Sequence, residues 1–246
     1  MLTLGAYEKC RRYIEAHSRQ SGQLELNEIK SSCPCITISR ETGAGAGFVS
    51  QHLISYLQNA TKDKSCEWTF FDKLLIEKVL ADHNLPGQLS EFMKEDKYSN
   101  ISSVVNELLG IHPSKWTLLH KTTETIIQLA RMGNVVIVGR AANVITAKLP
   151  KTFHVRLVAP LENRVQKMMK HYSMSEKEAG DFIKREDNSR KNYVKSNFNK
   201  DIENPHLYHL VVNTGLTTYE EAARLIGHGV INKFHAKFVT KEAVLY

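Results

Sequence analysis

Cys35-Ile36-Thr37-Ile38-Ser39-Arg40-Glu41-Thr42-Gly43-Ala44-Gly45-Ala46-Gly47-Phe48 is the stretch on which the fold turns, and it divides into three parts. The β-branched residues Ile36, Thr37 and Ile38 predict a short strand over Cys35–Ser39. Gly43, Gly45 and Gly47 then alternate with Ala44 and Ala46, so five consecutive residues are small. Beyond them Val49, Leu53, Ile54 and Leu57 recur at helical spacing. Strand, glycine turn and helix in that order suit a phosphate cradle. Backbone N–H groups converge at the helix N-terminus, and glycines allow the angles and the close approach. The alternative is a flexible Gly/Ala loop with no ligand. The turn falls short of a full Walker A motif, which carries a lysine and then a Ser or Thr after its last glycine. In the best register Ala46 stands in the lysine position and Phe48 in that of the magnesium-binding hydroxyl. The missing charge must come from elsewhere, or catalytic power is missing.

Outward from this turn, strand and helix signals alternate. Trp68–Phe71 predicts a strand closing on Asp72, and Leu74–Leu80 a helix. Leu85-Pro86-Gly87 and Ile111-His112-Pro113 punctuate a helical insertion with loops, and Trp116–Arg131 predicts a helix ending near Gly133. Val135–Val138, ending on Gly139, is a continuous apolar run of the kind buried on both faces of a parallel sheet. Thr152–Val158 predicts another strand, and Ala159-Pro160 opens a helix after it. Ser173 with Glu176, and Ser175 with Glu178, both have capping-box spacing. Leu207–Val212 predicts the last strand, and Thr217 and Thr218, each with a Glu three residues on, cap the final helix. The expected fold is α/β, a doubly wound parallel five-stranded sheet. Residues 1 to about 30 predict a helical lead-in, suited to packing on the core or on a second copy of the chain, so a homodimer is among the expected partners.

The 246 residues suit one large domain or a core with an inserted subdomain, and 42% hydrophobic residues suffice for a buried core. No apolar run approaches the ~20 residues of a membrane span, and the opening residues carry no long apolar segment of a secretory leader. Cys33 and Cys35 have no second pair to complete a zinc set; with Cys10 and Cys66 they read as structural thiols in a reducing, cytoplasmic setting. The net charge of +7 attracts polyanions without choosing among them. No aromatic-rich stacking motif accompanies it, so nucleic acid is not an expected partner, nor is a membrane.

Several blocks, in order, resemble the cytidylate kinase-like family, P-loop proteins related to bacterial cytidylate kinase. They are Ile36–Gly45, Phe71-Asp72-Lys73, Val136–Asn143 with its Gly139-Arg140 pair, and Phe153–Arg164. Asp187, Arg190, Asn192 and Tyr193 match a lid-like segment, and Val212-Asn213-Thr214 matches the end of the last strand. The resemblance implies a P-loop fold over about 35–232, with a nucleoside-monophosphate-binding insertion at about 73–131 and a lid at about 161–200. A lead-in at 1–34 and a tail at 233–246 flank it. It further implies phosphoryl transfer from ATP, with Mg2+, to a nucleoside monophosphate such as CMP or dCMP.

Such a transfer depends on positioning and on stabilising spread negative charge, for which the planar guanidinium is suited. Arg40, Arg140, Arg156, Arg164, Arg185 and Arg190 are candidates. Arg40 ends the first strand beside the turn, where the alternative is a salt bridge to Glu41. Together with Gly43, Ala44, Gly45, Ala46, Gly47 and Phe48 it is expected to hold the donor. Arg140 follows the buried strand into the crevice and is expected to face the acceptor with Asp72 and Asp187. Asp72 could instead bind a metal water or cap the next helix. Arg140, Arg185 and Arg190 are the expected catalytic residues. Arg185 and Arg190 sit five apart and can share a site only if their helix breaks between them; the alternative is a solvated mixed-charge helix. Arg164 reads as a phosphate contact or a surface pair with Glu162. No residue is assigned as a metal ligand, although Glu41 is a candidate, because Val138 and Ala141 stand where cytidylate kinases carry acids. His206 and His209 read as surface or structural residues. A second reading is a degenerate cradle that binds nucleotide without turnover.

Overall fold

The computed structural model describes residues 34–62, 67–72, 115–235 and 238. Five strands form one sheet: β1 (Cys35–Arg40), β2 (Thr69–Phe71), β3 (Val135–Val138), β4 (Thr152–Val158) and β5 (Leu210–Asn213). Their order is β2-β3-β1-β4-β5, and every pairing is parallel. The helices are α1 (Ala46–Ala60), α2 (Lys115–Met132), α3 (Ala142–Ile145), α4 (Leu161–Tyr172), α5 (Glu176–Phe198) and α6 (Tyr219–Lys233), with a 3-10 turn at Pro205–Leu207.

Side-chain alternation assigns each face of the sheet a core. Ile36, Ile38, Val136, Val138, Val155 and Leu157 pack with Leu53 and Leu57 of α1 and Ile226 and Val230 of α6. On the other face Cys35, Phe71, Val135 and Ile137 pack with Ile126 and Leu129 of α2. Central strands covered on both faces read as continuous apolar runs, as β3 does. The doubly wound arrangement expected from the sequence is thus observed. The strand order reverses about β1, which has β3 on one side and β4 on the other, so a crevice opens at their carboxyl ends.

Local chemistry moved several expected boundaries. The last strand starts at Leu210 rather than Leu207, because Asn204 Oδ1 accepts from the His206 N–H and Pro205 seeds the 3-10 turn. Of the two serines with capping spacing, Ser173 is the left-handed end of α4 (φ 53°), and Ser175 forms the capping box of α5 with Glu178. Likewise Thr218 caps α6 with Glu221, while the Thr217 hydroxyl donates to the Asn213 carbonyl. The predicted helix Leu74–Leu80, the loops to residue 114, the lead-in to residue 33 and most of the tail lie outside the described residues. Cys35 is a free, buried thiol, and burial pushes its pKa well above the ordinary range, which removes it from thiolate chemistry. No helix among the described residues is long and apolar enough to cross a membrane.

Candidate functional site

The glycine turn feeds α1 directly. Gly45 is the N-cap, with φ 77°, no side-chain cap and no acid in the first turn, so the leading N–H groups of the helix have no partner within it. Gly43 also has a positive φ, 84°. A Cβ added to Gly43 would lie 3.0 Å from Arg164 Cβ, and one on Gly45 only 2.1 Å from Tyr219 Cε1. Both backbone angle and close neighbours therefore require glycine here. Gly47 differs, with open space about it. Ala44 and Ala46 are buried in the core beside α1. Phe48 is half-exposed and its ring lies parallel to that of Tyr219, centroids 5.4 Å apart, with His171 at 5.5 Å. Lys167 Nζ sits 4.6 Å from the Tyr219 centroid and donates to the Thr214 carbonyl at 3.2 Å. The Thr214 hydroxyl in turn donates to the Ala44 carbonyl at 3.0 Å.

The other side of the turn is fastened to α5. Asp187 Oδ1 accepts from the Thr42 N–H at 2.8 Å, the Thr42 hydroxyl at 2.7 Å and Arg190 Nη1 at 3.0 Å. Its Oδ2 accepts from Arg164 Nη1 at 2.6 Å. Arg190 also donates to Thr42 Oγ1 and pairs with Glu186 at 3.6 Å. Arg164 is buried, reaching the Ala159 carbonyl at 2.9 Å and the Thr42 carbonyl at 3.3 Å. One carboxylate on the expected lid segment thus gathers the glycine turn and two arginines from two helices.

Beside this latch lies a cavity of about 120 Å³, lined by Arg40, Arg140 and Arg190 together with Ser39, Asn143 and Tyr193. Arg140 is aimed by three successive positive-φ residues, Gly139 at 89°, Arg140 at 53° and Ala141 at 56°. For the last two this is an unfavourable backbone state, the kind of strain that marks functional sites. Gly139 also leaves room for the tip of Arg40: an added Cβ would lie 2.2 Å from Arg40 Nη1. Burial pushes the Arg40 pKa down to about 10, with Arg190 and Arg140 adding to the effect against Asp72 and Asp187. The group is still cationic at neutral pH. The Arg140 guanidinium lies 5.9 Å from the Tyr193 ring centroid, and burial raises the Tyr193 pKa against the opposing pull of Arg140. Asn143 is 5% exposed, and its Nδ2 has no hydrogen-bond partner among the described residues. A buried amide donor and an excess of guanidinium facing one cavity are suited to an anion with several oxygens.

Of the residues expected from the sequence, Arg40, Arg140 and Arg190 line this cavity; Asp187 holds Arg190 and the Gly43–Phe48 turn from the side, and Asp72 acts on Arg40 through its charge. Arg185 does not join them. α5 runs unbroken from Glu176 to Phe198, so the two arginines face directions about 140° apart, and the exposed Arg185 lies 5.2 Å from the Phe182 ring centroid. The alternatives resolve as follows. Arg164 pairs with Asp187 and Glu41, not with Glu162. Glu41 is taken up by the Ala159 N–H at 3.0 Å and by Arg164 at 3.6 Å, not by Arg40. His209 is structural, its Nδ1 accepting from the His154 N–H at 3.0 Å. Sequence reasoning overlooked Asn143, Thr42 and Ser39 as site residues. Asn143 follows the Gly139-Arg140 pair closely enough to have been suspected. Thr42 carries no signal, because its partner is 145 residues away.

The sheet and its glycine turn define the class: a doubly wound α/β domain of the P-loop type. A profile described as the cytidylate kinase-like family matches residues 35–216, and the chain belongs to that family. Among solved structures, an uncharacterized protein from Eubacterium ventriosum is 18% identical, with a TM-score of 0.60 over 81% of this chain and 98% of that one. A shikimate kinase from Acinetobacter baumannii, solved with shikimate, is 15% identical over 82% of this chain and 95% of that one, with a TM-score of 0.41. A uronate isomerase from Corynebacterium glutamicum is 26% identical over 117 residues, 48% of this chain. That match spans 22% of the isomerase's own length.

Proposed function

We propose that this protein is a phosphotransferase of the nucleoside monophosphate kinase kind, moving the γ-phosphoryl group of ATP to a pyrimidine nucleoside monophosphate such as CMP. The observation that carries the reading is the meeting of Arg40, Arg140 and Arg190, from β1, the β3 turn and α5, on one cavity beside the glycine cradle. In this reading the N–H groups of Gly43–Phe48 hold the donor phosphates, and Arg40 stands in for the absent lysine. Arg140, with Asp72, orients the acceptor; Asp187, expected to share that role, is instead taken up by Thr42, Arg164 and Arg190. Arg190, held by Asp187, faces the charge that develops during transfer. Magnesium usually takes one or two carboxylates, phosphate oxygens and waters. Asp72, at the end of β2 and close enough to act on Arg40, would be the acid to bind a water of the ion. When bound, magnesium neutralises phosphate charge.

A second reading, nucleotide binding without turnover, is favoured by one observation: Ala46 and Phe48 replace the lysine and hydroxyl, and Phe48 is committed to Tyr219. Incubation with ATP, magnesium and each nucleoside monophosphate separates the two. Diphosphate formation that Arg140→Ala abolishes supports transfer. Nucleotide binding with no product supports the second reading, and absence of nucleotide binding refutes both.

A further inference from the structure

A second cavity, of about 130 Å³, adjoins the first and shares Arg40 and Arg190 with it. Its lining also includes Arg156, Arg164 and Lys191, facing the carboxylates of Glu41, Asp187 and Glu203. Each carboxylate already serves another group. Glu41 binds the Ala159 N–H and Arg164, Asp187 binds Thr42, Arg164 and Arg190, and Glu203 pairs with Lys191 at 2.9 Å. Arg156 is left over. It is 5% exposed, and among the described residues it has no ion-pair partner. Its one hydrogen bond runs from Nη1 to the neutral Ser39 hydroxyl at 3.1 Å.

The hydroxyls behind Arg156 carry no charge to offset it. The Tyr208 hydroxyl lies 2.7 Å from the Ile202 carbonyl and 3.2 Å from the Ser39 hydroxyl. A guanidinium only donates, so Ser39 accepts from Arg156 and the remaining donors have the cavity to turn to. The Tyr208 ring, 5.9 Å away, adds a weak attraction. A buried charge without a paired counter-charge is unfavourable, and the three carboxylates of the lining are each bonded to another group. Arg40, on the shared wall, also forms no ion pair among the described residues. Among the described lining residues, five cations stand against three carboxylates, an excess of two positive charges.

We propose that this second cavity is a binding site for a dianionic phosphoryl group, gripped by Arg156 and Arg40 and distinct from the glycine cradle. The excess charge matches a phosphate dianion, and the fork of Arg156 suits two of its oxygens. The group is either free inorganic phosphate or a second phosphate on a nucleotide whose first phosphate occupies the neighbouring cavity. The site goes beyond the proposed transfer reaction and stands without it.

The test uses the whole chain and inorganic phosphate. Thermal unfolding with phosphate, against chloride at matched ionic strength, should show a phosphate-specific rise in Tm. The rise should shrink clearly in Arg156→Met, which loses its tightest phosphate site, with affinity there at least about tenfold weaker. Without phosphate, Arg156→Met should unfold no lower than the natural chain, because it removes an uncompensated charge. Arg224→Ala, an exposed surface change, should keep the full response. If Arg156→Met does not fold, Arg156→Lys keeps the charge but loses the fork, and should bind phosphate about tenfold more weakly. Arg140→Ala strips the neighbouring cavity and should keep the part of the response to inorganic phosphate that Arg156→Met removes. A failed transfer assay beside that result counts against the reaction and not the site. Tighter binding of cytidine 3′,5′-bisphosphate than of CMP, lost in Arg156→Met, assigns the group to a nucleotide. Equal binding of the two beside an intact phosphate response assigns it to the free ion. No phosphate-specific rise in the natural chain, or a rise undiminished in Arg156→Met, overturns the proposal.

Discussion

Gly45→Ala perturbs the cradle at its most constrained point. At φ 77° a non-glycine residue carries a left-handed penalty of roughly 1–2 kcal/mol. The new methyl would also lie 2.1 Å from Tyr219 Cε1 and 2.4 Å from Cζ, so the ring must leave. Leaving breaks the parallel stack on Phe48, worth about 0.5–1.5 kcal/mol, and the Lys167 contact, worth about 0.5–1 kcal/mol. The expected loss is about 2–4 kcal/mol, a large part of a typical domain's stability. Urea unfolding of Gly45→Ala, Tyr219→Ala and the double variant separates the terms. With the ring already gone, Gly45→Ala should cost only its backbone penalty of about 1–2 kcal/mol, leaving a coupling of roughly 1–2 kcal/mol between the two sites. A Gly45→Ala cost that is the same in both backgrounds would refute the argument that Tyr219 excludes the side chain.

Asp187→Asn leaves Arg164 and Arg190 facing each other without their shared carboxylate. It should lower urea stability by about 2–3 kcal/mol, and a change below about 0.5 kcal/mol would show that the latch is not a structural element. Burial, reinforced by His209 and Lys233, holds the His154 pKa down to about 4 against an ordinary 6.5. The unfolded chain therefore takes up this proton first. The contribution of the neutral ring is whole above about pH 6.5 and falls by about 3 kcal/mol as the pH drops towards 4. His154→Gln should flatten that part of the urea stability profile, and parallel profiles for the two proteins would contradict it. In Gly139→Ala the added methyl meets only the movable end of Arg40, so stability should fall by just about 1–2 kcal/mol. Phosphate titration should nonetheless show affinity reduced by about tenfold; unchanged affinity would mean that Arg40 does not grip the anion. Ser175→Ala removes the hydroxyl that receives the Glu178 N–H and should destabilise by about 1 kcal/mol in the same assay.

The sheet was legible because its signals are local. Ile36 to Ser39 and Val135 to Val138 announce buried strands by composition alone, and the turn before Val49 announces itself by its glycines. The capping boxes were legible but ambiguous. Two candidates stand side by side at each helix start, and only the backbone angle at Ser173 or the Thr217 bond to Asn213 decides between them. The charge pairing was not legible. Asp187 chooses Thr42 and Arg164 across the fold, and no periodicity encodes that choice. Arg185 looked equivalent to Arg190 in sequence and differs only because α5 never breaks. Arg156 could be recognised as a candidate arginine, but its isolation depends on where Glu41, Asp187 and Glu203 find their partners.

A Walker lysine carries its charge within the phosphate loop itself. Here the cations come from β1, the β3 turn, β4, α4 and α5, and Arg190 reaches the crevice only while α5 is docked on Thr42. Under the proposed reading, a ligand that bridges Arg140 on the sheet and Arg190 on the helix favours the docked arrangement. Docking and anion binding are then thermodynamically reciprocal: whatever free energy docking adds to the grip on the anion, the anion returns to docking. In such a protein, protection of the α5 amides against exchange would report occupancy of the crevice as faithfully as a binding isotherm.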